Sequence, residues 1–135
     1  MLVKKVFIIL LLLLLNNSYV YARYKHKHKA HGIASYYAEK YNGRKTSDGS
    51  VFSNNGFTAA SNKFRLGAYT KVINRENGNV VYVLINDRMG NKKRVIDITT
   101  AAAKKLDFIK QGTTKVKVIV VKPRKGKRKI RKQMK

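Results

Sequence analysis

The sequence has no cysteine, no tryptophan and a single proline in 135 residues. Without cysteine the chain can form neither disulfides nor cysteine-based zinc sites, and it has no thiol nucleophile. Hydrophobic residues make up 44% of the chain, which is enough for a packed core. The length favours one domain, held together by packing and backbone hydrogen bonds alone.

Acidic residues are also scarce. Six Asp and Glu stand against 31 Lys and Arg, which gives a formal net charge of +25. A charge of this size indicates polyanionic partners and says nothing about the fold. Nucleic acid, anionic lipid headgroups and acidic wall polymers all fit it.

Long hydrophobic runs are absent as well. The longest covers the ten residues 6–15, whereas a membrane-spanning helix needs about 20. Lys4 and Lys5 precede this run and small residues end at Ala22, so the pattern predicts a signal peptide over 1–22. An uncleaved anchor or a buried helix is the alternative. We expect a soluble exported protein in the periplasm or cell envelope, which argues against nucleic acid as its partner.

Residues 23–31 form a basic segment without hydrophobic periodicity, which predicts a flexible arm. His26, His28 and His31 are potential metal ligands in this arm. No acidic or cysteine ligand lies near them in the sequence. We therefore interpret 23–31 as a solvated arm and predict no metal site.

The other end of the chain, 122–135, has nine Lys or Arg among fourteen residues and no acidic residue. Like charges at this density repel, so the pattern predicts a disordered basic tail. Such a tail can bind anionic lipid or a wall polymer in a salt-sensitive way. A solvated tail without a specific partner is the alternative.

The pattern between the two arms, 32–121, is mainly β. β-Branched and aromatic runs predict strands over Gly32–Tyr37, Lys71–Ile73, Val80–Ile85, Arg94–Ile98 and Thr114–Val121. A helix is predicted from a cap at Thr99 or Thr100 to Leu106, with Gly112 helping to turn the chain afterwards. Many short strands with one short helix indicate a compact β-barrel.

Several segments in order resemble one family, the rare lipoprotein A domain. They are Gly32–Tyr37, Asn42–Gly49, Phe57–Ala60, Leu66-Gly67, Asn77-Gly78, Ile85–Arg88, Arg94–Ile98 and Ala101–Ala103. The resemblance implies a six-stranded double-psi β-barrel with one or two short helices, flanked by flexible basic arms. It also implies a peptidoglycan lytic transglycosylase that cleaves naked glycan strands between MurNAc and GlcNAc, leaving 1,6-anhydro-MurNAc ends.

The chain departs from that family at three points. The family is named for a lipid-modified cysteine, which is absent here, so we expect a protein without a lipid anchor. Ser50 stands where active members carry an acidic residue, and Ser61 stands where they carry a histidine. The aspartate of the Asn-Asp-Arg motif is kept as Asp87.

Asp87 is the predicted catalytic residue. In a lytic reaction the substrate's own 6-hydroxyl attacks, so one carboxyl group can serve as acid and then as base. A hydrolase would need two. The alternative interpretation makes Asp87 an ion-pair partner of Arg88 or a turn cap.

The predicted substrate-binding groove is broader. It comprises Ser50, Ser61, Tyr36, Asn86, Arg88 and Asp97. Since neighbours on a strand point in opposite directions, at least one of Tyr36 and Tyr37 is expected in the core. We expect no cofactor and a monomer.

Three other functions compete with the lytic one. Loss of the acidic residue and the histidine at Ser50 and Ser61 favours a non-catalytic glycan-binding module. An expansin-like protein that loosens polymer contacts without cleavage fits the same fold. Charge alone would fit a nucleic-acid binder, and the predicted export argues against it.

Overall fold

The computed structural model of the protein describes residues 1–6, 8–9 and 26–135. The predicted cleavage site after Ala22 lies outside the described residues. The elements of 26–135 are β1 (Lys29–Tyr36), a 3₁₀ turn (Glu39–Tyr41), β2 (Thr58–Ala60), β3 (Tyr69–Asn74), β4 (Val80–Asp87), β5 (Ile96–Ile98), α1 (Thr100–Leu106), β6 (Thr114–Val121) and α2 (Pro123–Gln133). Within the described ranges, no helix has the length and apolar character needed to cross a membrane.

The six strands close into a barrel in the order β1-β5-β2-β4-β3-β6. The pairs β1–β5 and β2–β4 are parallel, and the other four pairs are antiparallel. Alternate residues of β3 and β6 enter the core, among them Val72, Val116 and Val118, which are fully buried. The six-stranded barrel and all five predicted strands are confirmed.

Helix α1 follows the predicted cap. The Thr99 side chain accepts a hydrogen bond from the Ala102 backbone N–H, and Ala102, Ala103 and Leu106 are buried in the core. The helix ends at Asp107, whose left-handed backbone (φ 56°) closes the last turn.

Strand β2 was not predicted. It has three residues, Thr58–Ala60, and pairs with β4 on one side and β5 on the other. Because Ala59 and Ala60 are both buried, the segment shows no alternation of polar and apolar residues. A strand this short gives no periodic signal.

The predicted disorder of the tail is wrong, because residues 123–133 form helix α2 against β3 and β4. Gly126 is buried on Tyr69, and Ile130 packs against the core. The Gln133 amide donates to the Tyr82 carbonyl at 2.8 Å and accepts from the Tyr82 N–H at 2.7 Å. The helix is stable there because its few non-basic side chains share one face and its cations point to solvent.

The predicted basic arm is also shorter than expected. Lys29 and His31 belong to β1 and pair with Ile119 and Lys117 of β6. Extended backbone can pair whatever its side chains are, and here the charged side chains face solvent. In the described part of the chain, no group of three His, Cys, Asp or Glu is placed to hold a metal ion.

Candidate functional site

A groove of about 720 Å³ opens where β1, β4 and β5 end at the loop after the 3₁₀ turn. Its lining comprises Ser35, Tyr36, Tyr37, Ala38, Lys40, Tyr41, Arg44, Lys45, Thr46, Phe52, Ala60, Asp87, Arg88, Met89, Gly90, Asn91, Arg94 and Asp97. Among the predicted site residues, the groove brings together Asp87, Tyr36, Arg88 and Asp97.

The floor of the groove is one cross-strand row. Ala60 pairs with Asp87 of β4 on one side and with Asp97 of β5 on the other, and Asp97 pairs in turn with Ser35 of β1. With neighbouring strands about 4.8 Å apart, the two aspartate Cα atoms lie about 10 Å apart. The Ala60 methyl group leaves the space between the two carboxyl groups open.

Asp87 ends β4 and is half-buried. Its Oδ1 accepts three hydrogen bonds, from the Ser47 N–H (3.0 Å), the Ser47 hydroxyl (2.7 Å) and the Arg88 N–H (2.8 Å). Its Oδ2 accepts one, from the Tyr37 hydroxyl at 2.8 Å. Because Oδ1 has three donors and Oδ2 has one, Oδ2 is the oxygen with capacity to exchange a proton.

Tyr37 is held for this contact by ring packing. Its ring centroid lies 4.3 Å from that of Phe52 and 5.9 Å from that of Tyr41. Burial, and then the hydrogen bond to Asp87, raise the pKa of the Tyr37 hydroxyl far above its usual range. Tyr37 therefore stays protonated and acts as a permanent hydrogen-bond donor to Asp87.

The turn Thr46–Ser50 carries Ser47 to Asp87. Asp48 organises this turn, since its Oδ1 accepts from the Thr46 hydroxyl, the Ser50 hydroxyl and the Ser50 N–H. The hydrogen bond from Ser50, followed by that from Thr46, holds the pKa of the Asp48 carboxyl below its usual value. The Asp48 N–H donates to the Asn86 carbonyl, which attaches the turn to β4.

Asp97 has its charge compensated. Arg94 forms a two-point ion pair with it, with Nε to Oδ1 at 2.7 Å and Nη2 to Oδ2 at 2.9 Å. The Ser35 hydroxyl donates to Oδ1 at 2.7 Å. The hydrogen bond to Asp97 raises the pKa of the Arg94 guanidinium. Asp97 lines the groove as an ion-pair partner and not as a free carboxylate.

The Arg88 guanidinium forms no ion pair with the Asp87 carboxyl group, contrary to one of the alternatives drawn from their adjacency; within Arg88, only the backbone N–H donates to it. Its Nη1 donates to the Phe64 carbonyl at 2.7 Å and to the Ser61 carbonyl. The guanidinium therefore stabilises the loop after β2.

Three predicted site residues lie outside the groove lining. Ser61 is fully buried, donates to the Val95 carbonyl at 2.7 Å and accepts from the Lys63 N–H. Ser50 belongs to the turn around Asp48. Asn86 is buried and donates to the Ser50 hydroxyl at 3.3 Å. The contacts of all three are with neighbouring turns and loops, so they support the local structure.

Tyr36 divides its contacts between groove and core. Its ring meets Phe108 edge-on at 5.8 Å, and its hydroxyl donates to the Ile109 carbonyl at 3.0 Å. The expectation that one of the two tyrosines packs into the core is confirmed for Tyr36.

Three contributors to the site escaped sequence reasoning: Ser47, Ala60 and Arg94. Arg94 had a signal, because it precedes Asp97 by three residues in a predicted strand. Ser47 and Ala60 had none, because their positions depend on which strands become neighbours.

The groove wall near the 3₁₀ turn is cationic. Lys40, Arg44 and Lys45 line it, and Lys40 and Arg44 lie within 5.5 Å of the centroid of the Tyr41 ring. Within the described ranges the ion pair found is that of Arg94 and Asp97, so these three cations have no carboxylate partner. The Tyr41 ring thus packs against two cations in this wall.

A family model described as lytic transglycolase matches residues 29–118, which include all of the groove. This match ends before helix α2.

Two similar proteins are curated as endolytic peptidoglycan transglycosylase RlpA. The one of Neisseria meningitidis is 44% identical over 95 residues, which are 68% of this chain and 39% of that protein. The one of Pseudomonas aeruginosa is 42% identical over 93 residues, which are 68% of this chain and 27% of that protein. The chain therefore matches well under half of the length of these relatives.

Solved structures share the fold at low identity. The Streptomyces papain inhibitor aligns with a TM-score of 0.58 at 20% identity, covering 73% of this chain and 98% of its own. A mutant expansin of Clavibacter michiganensis in complex with cellohexaose aligns with a TM-score of 0.56 at 16% identity, covering 70% of this chain and 50% of its own.

Proposed function

Since this chain belongs to the lytic transglycolase family of double-psi β-barrel domains, we propose that it is an exported lytic transglycosylase that cleaves peptidoglycan glycan strands in the groove, with Asp87 as the catalytic residue. The observation that carries the proposal is the environment of Asp87. Among the described residues this groove carboxyl group has no ion-pair partner, and four hydrogen bonds hold it in place.

The geometry supports a reaction with one carboxyl group. Asp87 Oδ2 donates its proton to the glycosidic oxygen as the bond from muramic acid C1 to that oxygen breaks. The 6-hydroxyl of the same muramic acid bonds to C1 and returns its proton to Oδ2, which closes the 1,6-anhydro ring. Asp97 is engaged by Arg94, so the groove has no second free carboxylate to activate a water for hydrolysis.

The cationic wall supports a preference for naked strands. Once stem peptides are removed, each muramic acid carries a free lactyl carboxylate. Lys40, Arg44 and Lys45 are available to bind such groups, and Tyr41 offers a ring face beside them. A strand that keeps its stem peptides would place bulky chains where the cations stand.

A glycan-binding module without activity is the second candidate. It is favoured by the placement of Ser50 and Ser61, which bear no acidic or basic group and lie outside the groove. Export to the periplasm or cell envelope is part of both proposals. It rests on the sequence pattern of 1–22.

The test uses residues 23–135, which contain every strand of the barrel and helix α2. The parent, Asp87→Asn and a control, Asp107→Asn, are incubated with peptidoglycan, intact and stripped of stem peptides, and products are read by mass spectrometry. Asp107 lies outside the groove, so its replacement should not affect the proposed reaction. Its backbone is left-handed, a conformation that asparagine also adopts readily.

We expect 1,6-anhydro ends from the parent and the control, more from stripped strands, and at least about 100-fold less from Asp87→Asn, because a general acid contributes that much or more. Pelleting of all three with wall material without any product would instead support the binding module. Products from Asp87→Asn at the parent's rate would remove Asp87 from the reaction.

A further inference from the structure

Helix α2 lies outside the matched family domain and outside the groove, yet it is fixed to the barrel by specific contacts. Gly126 sits so close to Tyr69 that a Cβ atom would overlap the ring. Ile130 and Gln133 lie on the same helix face and contact the core and the Tyr82 backbone. The non-basic face of the helix is therefore covered by the barrel.

The outward face presents the cations. Lys122, Arg124, Lys125, Lys127, Arg128, Arg131, Lys132 and Lys135 are all exposed. Because the helix is docked, these charges are held as one surface about 16 Å long and do not belong to a mobile tail. A fixed array loses less conformational freedom on binding than a flexible segment would.

Two clefts flank this surface. On one side, a cleft of about 490 Å³ is lined by Lys71, Lys105, Lys129, Lys132, Val80, Tyr82 and Gln133. Two of its lysines, Lys71 of β3 and Lys105 of α1, lie outside α2, so the basic surface extends beyond that helix. As far as the described residues go, no Asp or Glu lines this cleft.

On the other side, a cleft of about 350 Å³ is almost entirely apolar. It is lined by Phe57, Leu84, Ile130 and Met134, with Lys127 and Arg131 alongside, and with Gly56, Thr58 and Tyr69 completing it. Met134 is 66% exposed. An apolar cleft next to two cations is complementary to an amphiphile that has an anionic head and an apolar tail.

We propose that helix α2 and its two clefts, here called the α2 surface, dock the protein on a bilayer of acidic phospholipid. The exposed cations meet phosphate headgroups, and Met134 enters the boundary of the acyl region beside the apolar cleft. A sugar-phosphate polymer would satisfy the cations but offers nothing to Met134 or the apolar cleft. The α2 surface shares no residue with the groove, so it is separate from the proposed glycan chemistry and does not depend on it.

Vesicle cosedimentation at low ionic strength tests the proposal with residues 23–135, which lack the apolar run of 6–15. Vesicles of phosphatidylglycerol with phosphatidylcholine are compared with vesicles of phosphatidylcholine alone. One variant carries Arg124→Gln, Arg128→Gln and Lys132→Gln on the outward face. The matched control neutralises three exposed lysines outside the α2 surface, with Lys63→Gln, Lys92→Gln and Lys110→Gln.

We expect the parent to bind tightly to the vesicles that contain phosphatidylglycerol and not to those of phosphatidylcholine alone. The α2 variant should bind the acidic vesicles roughly 100-fold more weakly, because each one to two charges removed costs about a tenfold loss of affinity. The control should lose much less. Met134→Gln should weaken binding severalfold without changing the melting temperature, because Met134 makes its contact with the bilayer.

Equal losses of vesicle affinity in the α2 variant and the lysine control would overturn the proposal. Binding would then depend on the total charge of the protein and not on the α2 surface. A parallel titration with a soluble glycerol-phosphate polymer tests the remaining possibility, that the α2 surface binds an anionic polymer and not a bilayer. Should the α2 variant lose polymer and vesicle binding equally while Met134→Gln changes neither, the partner is a polymer and the bilayer proposal fails.

Discussion

Asp87 depends on its neighbours for its place in the groove, and Tyr37 is the neighbour that contacts the oxygen left open for proton exchange. Three donors hold Oδ1 in a fixed direction, whereas Oδ2 has the Tyr37 hydroxyl alone. A hydrogen bond to a charged group contributes about 1.5–3 kcal/mol. In the proposed reaction Tyr37 is therefore a positioning residue, which would act through Asp87.

Tyr37→Phe should keep the fold and slow the release of anhydro products about 10- to 100-fold, the rate equivalent of losing that hydrogen bond. The ring contact with Phe52 survives the change, so the melting temperature should move little. Product release is measured by mass spectrometry over a range of pH, since the lost donor contacts the oxygen proposed to exchange the proton. An unchanged rate and pH profile would show that Tyr37 serves the fold alone.

Much of the site was visible in the sequence, but its geometry depends on single-residue register. Asp87, Arg88, Asp97 and Tyr36 were predicted and do line the groove. Ser61 was also predicted, yet Ala60 faces the groove and the next residue faces away. Side chains on a strand alternate, so one position decides between groove and interior. That register follows from pairing with β4 and β5, which a single sequence does not display.

Helix α2 shows that the prediction of a whole secondary-structure element from sequence is limited in the same way. Composition predicted disorder because nine of fourteen residues are cationic and none is acidic. The helix forms because Gly126, Ile130 and Gln133 recur at helical spacing and meet the open side of β4, which β2 is too short to cover. Three inward residues, one of them glycine, are too few to give a clear amphipathic pattern in a segment dominated by Lys and Arg.

Gly126→Ala tests the contact between helix α2 and Tyr69, because a docked helix and a free helix predict opposite changes in the melting temperature. In a free or loosely docked helix, alanine would stabilise by about 1 kcal/mol relative to glycine. Against Tyr69 the added Cβ overlaps the ring, so the helix must move away and the melting temperature should fall. Hydrogen exchange should also quicken along 123–133.

Lys125→Ala is the control for Gly126→Ala, because it changes helix propensity on the exposed face without touching the barrel. Its melting temperature should stay level or rise. A stabilised Gly126→Ala protein would mean that the helix is not held on Tyr69.

At the scale of the whole molecule, the barrel separates two surfaces. The groove occupies the row across β1, β5, β2 and the end of β4, whereas helix α2 rests on β3 and the middle of β4. The fold thus places the proposed glycan site and the cationic surface on different parts of one small domain. A change at either surface should leave the other intact.

Removal of 122–135 tests that separation. The six strands remain, so the barrel should fold with a melting temperature lowered by on the order of 10 °C, since burial of Ile130 and the Gln133 bonds are lost. Release of anhydro products per folded molecule should match the parent at temperatures where both are folded. Loss of activity under those conditions would show that α2 supports the groove.

The sequence by itself determined five of the six strands, the capped helix α1 and the double-psi barrel class, and it proposed Asp87, because these depend on local periodicity, turn residues and an ordered set of motifs. Only the tertiary structure decided that Asp97 forms an ion pair with Arg94, that Ser50 and Ser61 lie outside the groove, and that the basic tail is a docked helix. Each of these depends on residues brought together from distant strands or loops. Closure of the barrel creates those neighbours, and the spacing of residues along the chain does not.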